Sequence, residues 1–96
     1  MAKQNLITDV WKAIEVEQDM YQEMEYLDRH FDEFTISELY YAFGILDGEA
    51  LAIENYCREL TKGDPGFNKI SEISSKWYKK RKELNNRILD VRICLA

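Results

Sequence analysis

Hydrophobic residues in this chain recur at alternating intervals of four and three positions, the spacing of one face of an α-helix. In the first such stretch, from about Lys3 to His30, only Glu17 interrupts the row. Its apolar or small members are Leu6, Val10, Ala13, Met20, Met24, Leu27 and Phe31. Further apolar residues widen the row on one flank, namely Ile7, Ile14, Tyr21 and Trp11. The pattern predicts a long amphipathic helix whose row of apolar residues faces a core.

The second stretch opens with a helix-start signature. Thr35 and Glu38 have the spacing of a capping box, in which each side chain accepts a hydrogen bond from the other residue's backbone N–H. The apolar row that follows is unbroken: Leu39, Phe43, Leu46, Ala50, Ile53, Cys57 and Leu60. Gly63 suits the left-handed position that commonly follows a helix, so we predict an end near Lys62-Gly63.

The third stretch has two candidate starting points. Asp64 can cap a helix whose first residue is Pro65, and Asn68 is the alternative cap. The row then contains Ile70, Ser74, Trp77, Arg81, Leu84, Ile88, Val91 and Leu95. Together the three rows predict one all-α domain over residues 1–96. The expected architecture is an up-down-up bundle of three helices with long first and third helices.

The middle of the second predicted helix contains two glycines, which allow two interpretations. Gly44, Gly48 and Ala52 make a smooth strip at four-residue spacing, and glycine inside a helix costs about 1 kcal/mol relative to alanine. The strip is expected to admit a close-packed helix of this chain or of a partner. Kinking or breaking of the helix at Asp47-Gly48 is the other interpretation.

A numerical regularity links the first and third rows, since their positions differ by 64 throughout. First and third helices of an up-down-up bundle run parallel, so equal register would place Ala13 beside Trp77. It would also place Glu17 beside Arg81, the only charged members of their rows. We therefore predict a half-buried Glu17–Arg81 ion pair with a structural role in fixing the register of the helices.

Composition and charge support a small acidic protein of the cytoplasm. The 96 residues are 46% hydrophobic, which is too apolar for a disordered chain, and no run of eighteen apolar residues is present. The N-terminal residues lack the apolar stretch of a secretory signal, so the two cysteines are expected to be reduced thiols. The net charge of −5 divides into −10 over residues 1–60 and +5 over residues 61–96.

The sequence offers no constellation for catalysis. The chain has one histidine, His30, and two cysteines, too few ligands for a zinc site of the usual kind. It also lacks a Ser/His/acid set, a P-loop and a glycine-rich phosphate cradle. We therefore expect no enzyme activity, no metal and no cofactor.

Aromatic and acidic residues outside the apolar rows favour protein binding. Six tyrosines occur in 96 residues, and tyrosine is enriched at protein interfaces. The predicted protein-binding residues are Tyr40, Tyr41, Glu15, Asp19, Glu23 and Tyr26. The expected function is a small protein–protein interaction module, a regulator or inhibitor of a larger protein or complex, that docks through helix surfaces. Its partner is a protein of unknown identity, and formation of a homodimer is a further expectation.

A nucleic-acid-associated regulator is the alternative. The stretch from Lys76 to Lys82 combines five bases with two aromatic residues, a composition that contacts phosphates and stacks on bases. The residues predicted for this role are Lys76, Lys79, Lys80 and Lys82.

A second feature of the same class lies in residues 38–55. Residues 38–45, then 47–51 and 53–55, resemble the two-helix core of phage-repressor-type helix-turn-helix domains. The resemblance implies two short helices that meet at Asp47-Gly48 and read DNA with the second. Tyr40 and Leu46 depart from that pattern, and Glu49 near the start of the second helix would repel phosphates.

Overall fold

Three α-helices account for most of the chain in a computed structural model, which describes residues 7–95. Helix α1 spans Val10–Arg29, α2 spans Ile36–Glu59 and α3 spans Phe67–Leu95, and a 3-10 turn at Phe31–Glu33 follows α1. The described residues contain no strand, so the predicted all-α class is confirmed, and the helices are consistent with a three-helix bundle. Among these three helices, none combines the length and apolarity that a bilayer span requires.

The starts of the first two helices follow from capping side chains. Asp9 precedes α1, and its carboxylate accepts a hydrogen bond of 2.8 Å from the backbone N–H of Lys12. At α2 the predicted capping box is confirmed: Thr35 N–H donates to the Glu38 carboxylate at 2.8 Å, and Glu38 N–H donates to Thr35 Oγ1 at 3.2 Å. The predicted helical residues 3–6 lie outside the described part of the chain.

The connection between α2 and α3 differs from the prediction. Helix α2 ends at Glu59, because Leu60 turns to extended backbone and packs against the core. Gly63 does not take the left-handed conformation, which belongs instead to Gly66 with φ of 82°. The Asp64 carboxylate accepts a hydrogen bond from the N–H of Thr61 at 2.7 Å and closes a turn. The predicted Asp64 cap is therefore wrong, and α3 begins one residue before the alternative Asn68.

Helix α2 is one uninterrupted helix across Asp47-Gly48. The two short helices implied by the helix-turn-helix resemblance are therefore wrong. The close intrachain approach predicted at the glycines is also wrong, because a Cβ placed on Gly44 or Gly48 meets no atom within 4 Å.

The core is formed by the predicted rows, by the flanking residue Ile7 and by two further residues. The buried members of those rows are Ala13, Glu17, Met20, Leu27, Phe31, Leu39, Leu46, Ala50, Ile53, Ile70, Trp77, Leu84 and Ile88. Val16 and Ile73 are buried as well, one position before Glu17 and three after Ile70. Trp11 does not extend the core, since it is 79% exposed. Leu6 and the side chain of Leu95 lie outside the described structure.

Contacts between α1 and α3 advance along both helices together, but at a different register from the predicted one. The Glu17 carboxylate accepts a hydrogen bond of 2.8 Å from Trp77 Nε1, and Asp28 pairs with Arg87. These partners are 60 and 59 positions apart instead of 64. The shift is about one helical turn.

The predicted Glu17–Arg81 pair is wrong for the same reason. Glu17 is buried and forms its ion pair with Lys76, at 2.8 Å. Arg81 turns towards α2, where its guanidinium pairs with Asp47 at 2.7 Å and with Glu54 at 3.0 Å. Both residues thus have structural partners, each on a different neighbouring helix.

Candidate interaction groove between the first two helices

The solvent side of α2 is apolar over its central turns. Every exposed residue between Leu39 and Ile53 is uncharged, and these residues are Tyr41, Gly44, Ile45, Gly48 and Leu51. Of the two charged residues of this stretch, Glu49 is buried, and Asp47, whose side chain is 35% exposed, pairs with Arg81 of α3. A helix at a protein surface normally shows its charged residues to water and buries its apolar ones. The outer face of α2 therefore has the character of a contact surface.

One edge of this face forms a groove with α1. The groove has a volume of about 620 Å³ and lies between the second half of α1 and the first half of α2. Its lining residues are Gln22, Glu23, Tyr26, Leu27, Phe34, Ser37, Glu38, Tyr41, Ala42, Ile45 and Leu46. Leu27 and Leu46 are buried, whereas Tyr26 and Tyr41 are 59% and 74% exposed. The groove thus combines deeply placed aliphatic residues with two aromatic rings that stand out into solvent.

The charged groups of the groove are acidic. One oxygen of the Glu23 carboxylate is inaccessible to solvent and has no hydrogen-bond partner within the described structure. The other groove carboxylate, Glu38, accepts the capping hydrogen bond from Thr35. No lysine or arginine is among the described residues that line the groove. A buried acceptor without a partner is energetically costly.

The structure brings together three of the six predicted protein-binding residues. Tyr26, Glu23 and Tyr41 line the groove. Tyr40 is half-buried, packs against the core and is not among the residues that line the groove. Glu15 and Asp19 are exposed on α1, about two turns and one turn before Glu23, respectively. The six residues therefore divide into groove residues, a core residue and an acidic extension along α1.

Other groove residues were not predicted from the sequence. Ile45 lies beside the predicted core row in the sequence, yet it is 43% exposed and lines the groove. Phe34 and Ala42 pack against the core and also line the groove. A signal for this surface was present in the sequence, because residues 39–46 contain no charged residue.

The four lysines of the alternative nucleic-acid site do not gather on one face. Lys76 pairs with Glu17, and the ammonium of Lys80 lies 5.7 Å from the ring centre of Tyr21, so both contact α1. Lys79 and Lys82 are exposed, and Lys82 contacts the Tyr78 ring on α3 instead. Hydrogen bonds from Lys76 to Glu17 and Tyr21 raise the pKa of the Lys76 ammonium above its ordinary value of 10.5.

Comparison of the chain with protein-family models, curated proteins and solved structures found no match.

Proposed function

We propose that the chain is a small cytoplasmic protein–protein interaction module that regulates or inhibits a larger protein or complex without catalysis. Its frame is an up-down-up bundle, and its binding surface is the groove between α1 and α2. The observation that carries the proposal is the uncharged exposed face of α2, whose central turns direct Tyr41, Ile45 and Leu51 outward while Asp47 pairs with Arg81 and Glu49 is buried. An uncharged exposed helix face of this kind is typical of a surface that a partner covers.

The shape of the groove suits a helix of the partner. The lining residues of α2 run from Ser37 to Leu46, a length of about 14 Å at the rise of an α-helix. Two to three turns of a docked helix fit this length, and their side chains at i, i+4 and i+7 can enter the groove together. Tyr26 and Tyr41 supply aromatic walls, which commonly contribute most to binding at interfaces.

The proposed cytoplasmic location agrees with two cysteines that do not pair with each other. Both Cys57 and Cys94 are free thiols, and Cys94 is exposed. Disulfides are rare in cytoplasmic proteins, whose thiols are kept reduced.

Affinity capture with groove variants tests the proposal. Tagged protein is incubated with lysate of its host, with and without nuclease, and captured proteins are quantified by mass spectrometry. The groove variants are Tyr41→Ala and Ile45→Ala, and the matched control is Tyr78→Ala, which removes a tyrosine of α3 that is 56% exposed.

We expect a stoichiometric protein that survives nuclease, is retained by Tyr78→Ala and is reduced at least tenfold by Tyr41→Ala, as at an interface hot spot worth about 2 kcal/mol. Capture that does not depend on the groove residues, or that is lost with nuclease, would contradict the proposal. Far-UV circular dichroism of each variant checks that the helices remain intact.

A further inference from the structure

Glu23 identifies what kind of partner the groove accepts. One of its carboxylate oxygens is enclosed by the protein and has no donor among the described residues. Water cannot reach this oxygen in the free protein, so the missing hydrogen bond is a standing cost. A cationic side chain that enters the groove would form a charge-assisted hydrogen bond with the Glu23 carboxylate.

The charges around Glu23 are of one sign. Asp19 and Glu15 precede Glu23 along α1 at four-residue spacing, and Glu38 lies across the groove on α2. The nearest base in this row, Lys12, already pairs with Glu15. Residues 1–60 carry fourteen acids and four bases, so the potential over this side of the molecule is negative. This pattern disfavours a symmetric dimer in which two such grooves face each other, because like charges would meet.

We infer that the groove binds an amphipathic α-helix of a partner protein that carries lysine or arginine beside its apolar stripe. The apolar side chains lie between Tyr26 and Tyr41, and one cation pairs with the Glu23 carboxylate. A second cation, one turn along the partner helix, meets Asp19. This inference rests on the proposed function, and it adds the chemistry of the partner.

Synthetic helices provide the test. The first probe is a peptide of about 18 residues, long enough for five turns, with leucines at i, i+3, i+4 and i+7 and lysines at the flanking positions. The second probe has glutamine in place of every lysine. Binding of both peptides is measured by isothermal titration calorimetry to the full chain and to its Glu23→Gln, Glu72→Gln and Tyr41→Ala variants. Glu72 is an exposed carboxylate on α3 outside the groove and serves as the matched control.

We expect the lysine peptide to bind more tightly than the glutamine peptide. Glu23→Gln should weaken the lysine peptide about tenfold, as expected for one charge-assisted hydrogen bond, and should leave the glutamine peptide unchanged within about twofold. Glu72→Gln should change neither peptide by more than about twofold. Tyr41→Ala should weaken both peptides, because both use the apolar part of the groove.

The contrary outcomes separate the two proposals. If Tyr41→Ala weakens both peptides but Glu23→Gln weakens neither selectively, the basic partner is excluded and the groove function stands. If Glu23→Gln and Glu72→Gln weaken the lysine peptide equally, its binding reflects net charge alone and the inference is overturned. If Tyr41→Ala affects neither peptide, the proposed function fails with it. Self-association that Tyr41→Ala abolishes, in the absence of peptide binding, would assign the groove to a second copy.

Discussion

Glu17 shows how a charged residue is accommodated in an apolar row. Its carboxylate is buried, and it holds two donors from α3, Trp77 Nε1 and the Lys76 ammonium, each at 2.8 Å. Trp77 is itself buried, so its indole N–H needs an acceptor within the protein. The pair of Glu17 and Lys76 opens towards solvent on the lysine side, which limits the desolvation cost of the charges.

The free energy of unfolding at alkaline pH should depend on the ion pair between Glu17 and Lys76. The variant Glu17→Gln keeps an acceptor for Trp77 but removes the counter-ion of Lys76, and we expect it to lower the free energy of unfolding at pH 7 by about 1 kcal/mol. The pKa of Lys76 is raised in the folded state, so the contribution of the ion pair is complete below 10.5. It is lost as the pH rises through the raised pKa. The difference between wild type and Glu17→Gln should therefore shrink above pH 10.5, as measured by urea unfolding at a series of pH values.

Glu15→Gln is the matched control for this comparison, because Glu15 lies on the same helix and its ion pair with Lys12 is exposed. We expect that control to change the unfolding free energy by less than about 0.5 kcal/mol at any of these pH values. A loss of equal size in the two variants would show that Glu17 has no special role.

Alanine substitutions at the glycines inside α2 and at the glycine just before α3 should have opposite effects on the free energy of unfolding. Gly44 and Gly48 lie inside α2 with open space where a Cβ would be, so alanine at either position should raise the free energy of unfolding by about 1 kcal/mol. Gly66, just before α3, has a positive φ, and a Cβ there would overlap the Val10 side chain of α1. Gly66→Ala should therefore lower the unfolding free energy by about 1–3 kcal/mol.

Urea unfolding of the three alanine variants, at two protein concentrations, checks these signs. Destabilisation by Gly44→Ala that appears only at the higher concentration would reveal a second helix packed on this face. A neutral effect of Gly66→Ala would contradict the close approach of Val10 to the turn.

The sequence predicts helix starts and apolar helix faces correctly where residues a few positions apart determine the structure. The Thr35–Glu38 capping box and the apolar rows of α1, α2 and α3 are confirmed, because capping and helical periodicity depend on residues a few positions apart. The turn after α2 was mispredicted because a tertiary contact decides it: Leu60 leaves the helix to pack against the core. The groove was only half predicted, since the exposure of Ile45 depends on how closely α1 approaches α2.

The sequence pattern does not determine the register in which α1 packs against α3. A row of alternating threes and fours nearly repeats itself after a shift of one turn, so the apolar residues fit either placement. The charges also fit both: the 64-residue register would join Asp28 to Arg92, and the observed one joins it to Arg87. The contacts of Trp77 and Arg81 with three different carboxylates distinguish the two placements, and these contacts depend on where α2 lies.

Double-mutant cycles measure this register in solution. In the observed structure Arg81 bridges to Glu54 of α2 in a half-buried environment, so Arg81→Ala and Glu54→Ala should show a coupling energy of about 1–2 kcal/mol. Arg81→Ala and Glu17→Ala should be additive within about 0.5 kcal/mol, because these side chains have separate partners on different helices. Unfolding free energies of the single and double variants give both numbers. Coupling of Arg81 to Glu17 in place of Glu54 would require the 64-residue register, in which α1 is displaced by one turn and the groove beside Tyr26 is rebuilt.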